Sequence, residues 1–241
     1  MSVKIGPQNL PPTTGAPGAA RVLLAGFGWI VLFLVLIFAP ARTLDWPAAW
    51  VFLVLFLGHC GRIVIWLWRH NPGLLRERLN LATRDQNWLD RGILAVAGVF
   101  YFGVFVTASR DVFELHVGTM PLWLQVVGGA LIWIAMELIF WVFRTNSFLS
   151  PVVRIQSERA HQLVTHGPYA YVRHPLYGAV FPLQIGTSLL VGSWLSLLPG
   201  LALVATLAVR AIFEEQTVRR AFVGYDAYCT RVRWRLLPWI W

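Results

Sequence analysis

The sequence predicts an all-α, polytopic integral membrane protein with about six hydrophobic segments. Three observations predict it: 57% of the 241 residues are hydrophobic, only 13% are charged, and mean hydropathy is +0.62. The apolar residues also come in long uninterrupted runs, and about 20 such residues suffice for a helix to cross a bilayer.

The elements follow in order. Residues 1–20 contain PQNLPPTTGAPG, rich in Pro, Gly and Thr and without periodicity, and read as a disordered tail. The run RVLLAGFGWIVLFLVLIFAPA (21–41) is longer than the apolar core of a signal peptide and leads directly to another span, so it reads as a retained helix. Further apolar segments cover 46–68, 91–109, 121–143, 176–191 and 194–213. The last two are separated only by Gly192-Ser193 and read as a tight helical hairpin, 176–213; counted as one kinked element, they leave five spans instead of six. Three regions result: the tail 1–20, transmembrane helices 1–4 over 21–145 with a polar loop at 69–90, and a C-terminal region over 146–241.

Arginine placement orients the chain, because short loops rich in Lys and Arg stay cytoplasmic. Of the 20 basic residues, only Arg42, Arg62 and Arg110 fall outside residues 1–21, the loops 69–91 and 144–175, and the segment from 210 onward. With six spans, both termini and these loops are cytoplasmic, which in a bacterium means insertion in the inner membrane. The net charge of +9 is then a topology signal with attraction to anionic lipid, and nucleic-acid binding is a poor account of it. Cys60 and Cys229 are the two cysteines, with no CxxC or Cys/His spacing, so neither a disulfide framework nor a metal site is expected. Three ionisable residues sit inside predicted spans: His59, Arg62 and Glu137. Arg62 and Glu137 lie at matching depth and are expected to form an intramembrane ion pair, either structural or facing an acceptor cavity.

The polar chemistry concentrates late in the chain. Residues 166–178, HGPYAYVRHPLYG, carry two prolines, two glycines, three tyrosines, two histidines and an arginine. Gly167-Pro168 and His174-Pro175 punctuate the backbone and constrain the loop between them. Across the hairpin, RAIFEE (210–215) places Arg210 and Glu214 four residues apart, on one helix face and at the depth of His174.

The order HQLVTHGPYAYVRHPLYG, helical hairpin, RAIFEE, then YDAYCTRVRWRLLP resembles the C-terminal cofactor-binding region of the isoprenylcysteine carboxyl methyltransferase family, within a wider group of membrane methyltransferases acting on phospholipids and thiols. The resemblance covers about 150–241 and looks like that of a bacterial-type member; the first 145 residues share only the pattern of spans. It implies S-adenosyl-L-methionine as methyl donor, held by the cytosolic loop and the ends of the last helices. By position it assigns His161, Gln162, Leu163, Val164, Tyr169, His174, Pro175, Leu176 and Tyr177 to the cofactor, with Gln156 as a further contact. It makes Glu214 an acidic cofactor contact and Arg210 the group facing the acceptor, the two catalytic candidates. In the tail, Phe222-Val223-Gly224 stands where the family has a phenylalanine-glycine pair.

These residue types suit that chemistry. Methyl transfer from a sulfonium is an in-line displacement that needs positioning and a water-poor site. An acid can bind the donor's ammonium or ribose, tyrosines can contact its adenine and sulfonium, and Arg210 could hold an acceptor carboxylate in a bidentate contact. A carboxylate acceptor needs no general base, whereas a thiol or amine would make His174 or His161 the candidate. The expected partners are the bilayer and a lipid-like or small hydrophobic acceptor. Two other readings stand beside this one: an NADPH-dependent membrane reductase of the sterol-reductase type, using the Arg-rich tail, and a non-catalytic membrane scaffold. The pair Gly26-Phe27-Gly28 lacks a third glycine and lies in a span, so it is no dinucleotide fingerprint.

Overall fold

A computed structural model describes residues 17–79, 87–152 and 161–241. The candidate contact Gln156 and most of the expected disordered tail lie outside the described residues. The chain forms α1 (Ala19–Ala41), α2 (Pro47–His70), a short α3 (Pro72–Leu79), α4 (Trp88–Arg110, running on as a π turn Asp111–Leu115), α5 (Leu122–Thr145), α6 (Pro175–Val191), α7 (Leu197–Ala221) and α8 (Tyr225–Arg231). There is no strand among the described residues. Five helices, α1, α2, α4 with its π turn, α5 and α7, are long and apolar enough to cross a membrane. Their outward faces carry large apolar side chains such as Leu23, Phe27, Val54, Val99 and Leu122, which only lipid would solvate favourably. The protein is a polytopic integral membrane protein.

Helix starts follow local chemistry. Pro47, Pro72 and Pro175 each sit in a first turn, where the missing N–H costs nothing. Asn87 caps α4 by accepting the Leu89 N–H at 3.1 Å. The hairpin turn is real: Gly192 ends α6 at φ +85°, and Ser193 and Leu195 donate to Asp111 at 2.7 and 3.1 Å. That buried carboxylate ties the α4 end to the hairpin, a contact 82 residues apart to Ser193 that spacing could not reveal.

Two boundaries differ from expectation. The last apolar segment was expected to close near 213, but α7 continues to Ala221, because its polar final turns still satisfy their backbone as helix while leaving the apolar zone. The segment 176–191 has no lipid-facing belt of its own: α6 is 17 residues long and buried along most of its length, including Gln184, Thr187 and Ser188. It crosses α5 at backbone contact, since a Cβ added at Gly128 would lie 2.5 Å from the Leu190 nitrogen and one at Gly186 would lie 2.7 Å from the Gly128 carbonyl. An aromatic cluster, Phe33, Phe52, Tyr101 and Phe105, fills the space between α1, α2 and α4, with Phe33 and Phe105 edge to face at 5.5 Å.

The up-and-down order brings the start of α1, the end of α2 with α3, the start of α4, the end of α5, the start of α6 and the residues after α7 to one end of the bundle. Arg21 on α1 reaching the Leu79 carbonyl at 3.5 Å marks that end.

Candidate functional site

At this end the helices splay around a cavity of about 340 Å³, within the ~300–1,000 Å³ typical of small-molecule sites. His161, Gln162, Leu163, Val164, Tyr169, His174, Pro175, Leu176, Tyr177, Arg210 and Glu214 all line it. Every candidate from the sequence within the described residues is therefore at one cavity.

The loop before α6 is held in place by the C-terminal tail. Arg173 and His174 donate their backbone N–H groups to the Trp234 and Arg235 carbonyls at 2.9 and 2.8 Å, and the Tyr228 hydroxyl donates to the Tyr169 carbonyl at 2.7 Å. Gly178 lets the tail approach: a Cβ there would collide with the Leu236 carbonyl oxygen. Tyr169 is fixed from the other side by Asn146, whose amide donates to its hydroxyl at 2.8 Å. Burial raises the Tyr169 phenol above its ordinary range, so it stays a neutral hydroxyl. The ring of His161 stacks on Phe148 with centroids 4.5 Å apart and meets Phe222 edge-on at 5.1 Å, giving an aromatic wall.

The ionic groups form two connected sets. In the first, Arg210 on α7, 5% exposed, donates from Nε to Asp90 at 2.9 Å, from Nη1 to the Tyr177 hydroxyl at 2.7 Å, and from Nη2 to Asp90 and to the Pro151 carbonyl at 3.4 and 2.9 Å. The Tyr177 hydroxyl in turn donates a hydrogen bond to Glu214 at 2.8 Å. Arg210 and Glu214 do share a helix face as their spacing requires, but the ionic partner of Arg210 is Asp90, and Tyr177 stands between it and Glu214. A guanidinium has five N–H donors, of which these contacts occupy four. The bidentate acceptor contact expected of Arg210 is thus unavailable while the Asp90 pair is intact, and one Nη1 hydrogen remains for a ligand.

In the second set, buried Glu215 collects Arg173 at 3.0 Å, His174 Nε2 at 3.3 Å and Arg235 at 3.2 Å. The other His174 nitrogen lies 3.8 Å from Glu214, and its ring is parallel to that of Tyr177, with centroids 5.6 Å apart. His174 therefore joins the two sets and aligns the loop with α7.

Sequence reasoning missed Asp90, Glu215, Arg78, Asn146 and the tail contacts. Asp90 left a signal, an acid at the very start of an apolar span. Glu215 left a weaker one, a second acid beside Glu214.

Fold and site together define a helical membrane protein with a small-molecule cavity at one end, built mainly from its C-terminal half. Residues 123–224 match the sequence model of the phospholipid methyltransferase family. Over 85 residues the chain is 34% identical to the protein-S-isoprenylcysteine O-methyltransferase of Schizosaccharomyces pombe; the match covers 34% of this chain and spans about a third (36%) of that protein's length. It is through this cavity-building region that the chain is similar to membrane methyltransferases of the phospholipid and isoprenylcysteine kinds.

Proposed function

We propose that the protein is an S-adenosylmethionine-dependent integral membrane methyltransferase acting on a lipid-like or small hydrophobic acceptor. The observation that carries this reading is the convergence of Tyr169, His174, Tyr177 and Glu214 on one cavity inside the family-matched region. The cavity fits such a donor in kind: an aromatic wall at His161 and Phe148 suits a purine, and Glu214 offers a carboxylate for an ammonium or ribose hydroxyl. When bound, the donor supplies an electrophilic methyl on its sulfonium. The chain's own part is positioning and exclusion of water. Tyr177 aims the Glu214 carboxylate, Arg210 and Asp90 lock Tyr177, and Leu163, Val164, Leu176 and Val218 keep the walls apolar. Arg210 meets the acceptor with its one remaining N–H, and His174 is the proton acceptor if a thiol or amine is methylated.

On this reading residues 146–241 are the cofactor-binding region and the cavity faces the cytoplasm. The positive-inside rule supports that orientation, because the arginine-rich segments gather at the cavity end. In a bacterium the host membrane is the inner membrane. The acceptor named in the S. pombe relative, a prenylated cysteine, has the apolar character that entry from the bilayer would need.

Calorimetric titration of the detergent-purified protein tests the reading. S-adenosylhomocysteine should bind, NADPH should not, and Tyr169→Ala, His174→Ala and Glu214→Ala should each lose at least tenfold in affinity. Failure of the unaltered protein to bind S-adenosylhomocysteine refutes the donor, and wild-type affinity in all three variants refutes the site.

A further inference from the structure

One side chain reaches the cavity from the N-terminal side of the family-matched region, on a helix that crosses no membrane. It is Arg78, near the end of α3. Its guanidinium lies 5.1 Å from the centroid of the Phe143 ring, an orientation a cation–π contact would favour. Desolvation by burial pulls its pKa down, and the nearby Arg210 charge adds to that pull.

The charges around the cavity can be matched in turn. Arg210 has Asp90. Arg173 and His174, with Arg235, have Glu215. Glu77, next to Arg78 in sequence, accepts the Ser150 hydroxyl at 2.9 Å. Among the described residues, no carboxylate stands within ion-pair distance of Arg78. On the opposite account, Glu214 lines the same cavity with only the Tyr177 hydroxyl at 2.8 Å and the more distant His174 as partners. Among the described residues the cavity is left with one guanidinium lacking an anion and one carboxylate lacking a full cation. A desolvated guanidinium is costly unless an oxyanion meets it, and its planar fork suits a carboxylate.

We propose that Arg78 binds the carboxylate of an α-amino-acid group in this cavity while Glu214 takes the ammonium of the same group. The inference rests on the methyltransferase reading and deepens it. Two ligands could bring such a zwitterion, the amino-acid end of the donor or an acceptor with an amino-acid headgroup. Arg78 is then the point where α3 contributes to ligand choice, although α3 lies outside the membrane-crossing helices.

Two ligand pairs, titrated against the full-length protein in detergent, test this. The donor pair is S-adenosylhomocysteine and its decarboxylated analogue; the acceptor pair is S-farnesylcysteine and its methyl ester. The unaltered protein should prefer the carboxylate member of one pair by at least tenfold. Arg78→Ala should erase that preference by weakening the carboxylate member alone, while Arg78→Lys keeps part of it; the pair affected identifies the source. The inference is overturned if the unaltered protein prefers neither carboxylate, if Arg78→Ala keeps the preference, or if it weakens both members equally, which marks a structural role. Absence of any S-adenosylhomocysteine binding by the unaltered protein is a different result and refutes the donor reading itself.

Discussion

The arginine–carboxylate contacts around Arg62 and around Arg210 are built from similar groups and differ in almost everything else. In the middle of the bundle Arg62 on α2 approaches Glu137 on α5 at 2.7 Å with His59 at 3.5 Å, and the Arg62 and Glu137 side chains are each 40% exposed toward the bilayer. That contact is ionic without aligned hydrogen bonds: Arg62 Nε and Nη2 find no acceptor in line, and the guanidinium lies over Phe140 at 4.3 Å. At the cavity end Arg210 is buried and makes four hydrogen bonds to three residues, which link it through Tyr177 to Glu214. An ionisable residue at membrane depth is thus a poor marker of the site by itself. What distinguishes the Arg210 cluster is convergence: several fixed polar groups satisfied by one another at the wall of a cavity, where a low dielectric makes each contact strong and each loss expensive.

The largest effect should come from cutting that cluster at Asp90. Asp90→Ala leaves a buried guanidinium without its anion, and loss of one partner from a buried pair costs roughly 3–5 kcal/mol. Unfolding of the detergent-solubilised variant should show a deficit of that size, and a loss below about 1 kcal/mol would mean that Asp90 is no anchor for Arg210. Tyr177→Phe comes next. It removes the hydroxyl between Arg210 and Glu214, and hydrogen bonds to charged groups are worth about 1.5–3 kcal/mol. S-adenosylhomocysteine affinity should therefore fall roughly tenfold or more, with the fold retained by circular dichroism. Unchanged affinity would detach Glu214 from donor binding. The smallest effect belongs to the other cluster. Replacing both charges together, Arg62→Leu with Glu137→Leu, removes a half-exposed pair without stranding either partner, and should change stability by about 1 kcal/mol or less. Ligand affinity should stay within twofold. A tenfold loss in the double variant would erase the contrast and place the α2–α5 pair on the acceptor's route.

The pairing of Arg62 with Glu137 was legible because a helix rises about 1.5 Å per residue, so equal distances from span ends mean equal depth. The same regularity made the hairpin around Gly192 and the shared face of Arg210 and Glu214 readable from spacing. The motif in 166–178 was readable for another reason: proline and glycine constrain the backbone locally, whatever surrounds them. Contacts that depend on how helices pack left no such trace. Asp90 and Arg210 are 120 residues apart, and an acid at a span boundary looks like any other polar residue entering water.

Hydropathy and arginine placement by themselves determined that this chain is a helical membrane protein, because each span must satisfy its own backbone in lipid and so carries its signal within about 20 residues. Local spacing likewise put Arg210 and Glu214 on one helix face at the depth of His174. Tertiary structure alone decided that Asp90 neutralises Arg210, that Tyr177 separates Arg210 from Glu214, that Glu215 gathers Arg173, His174 and Arg235, and that α3 delivers Arg78 to the cavity. Those pairings are set by which helix faces meet across the bundle and by the tail folding back against Gly178, and that geometry comes from side-chain packing over the whole molecule.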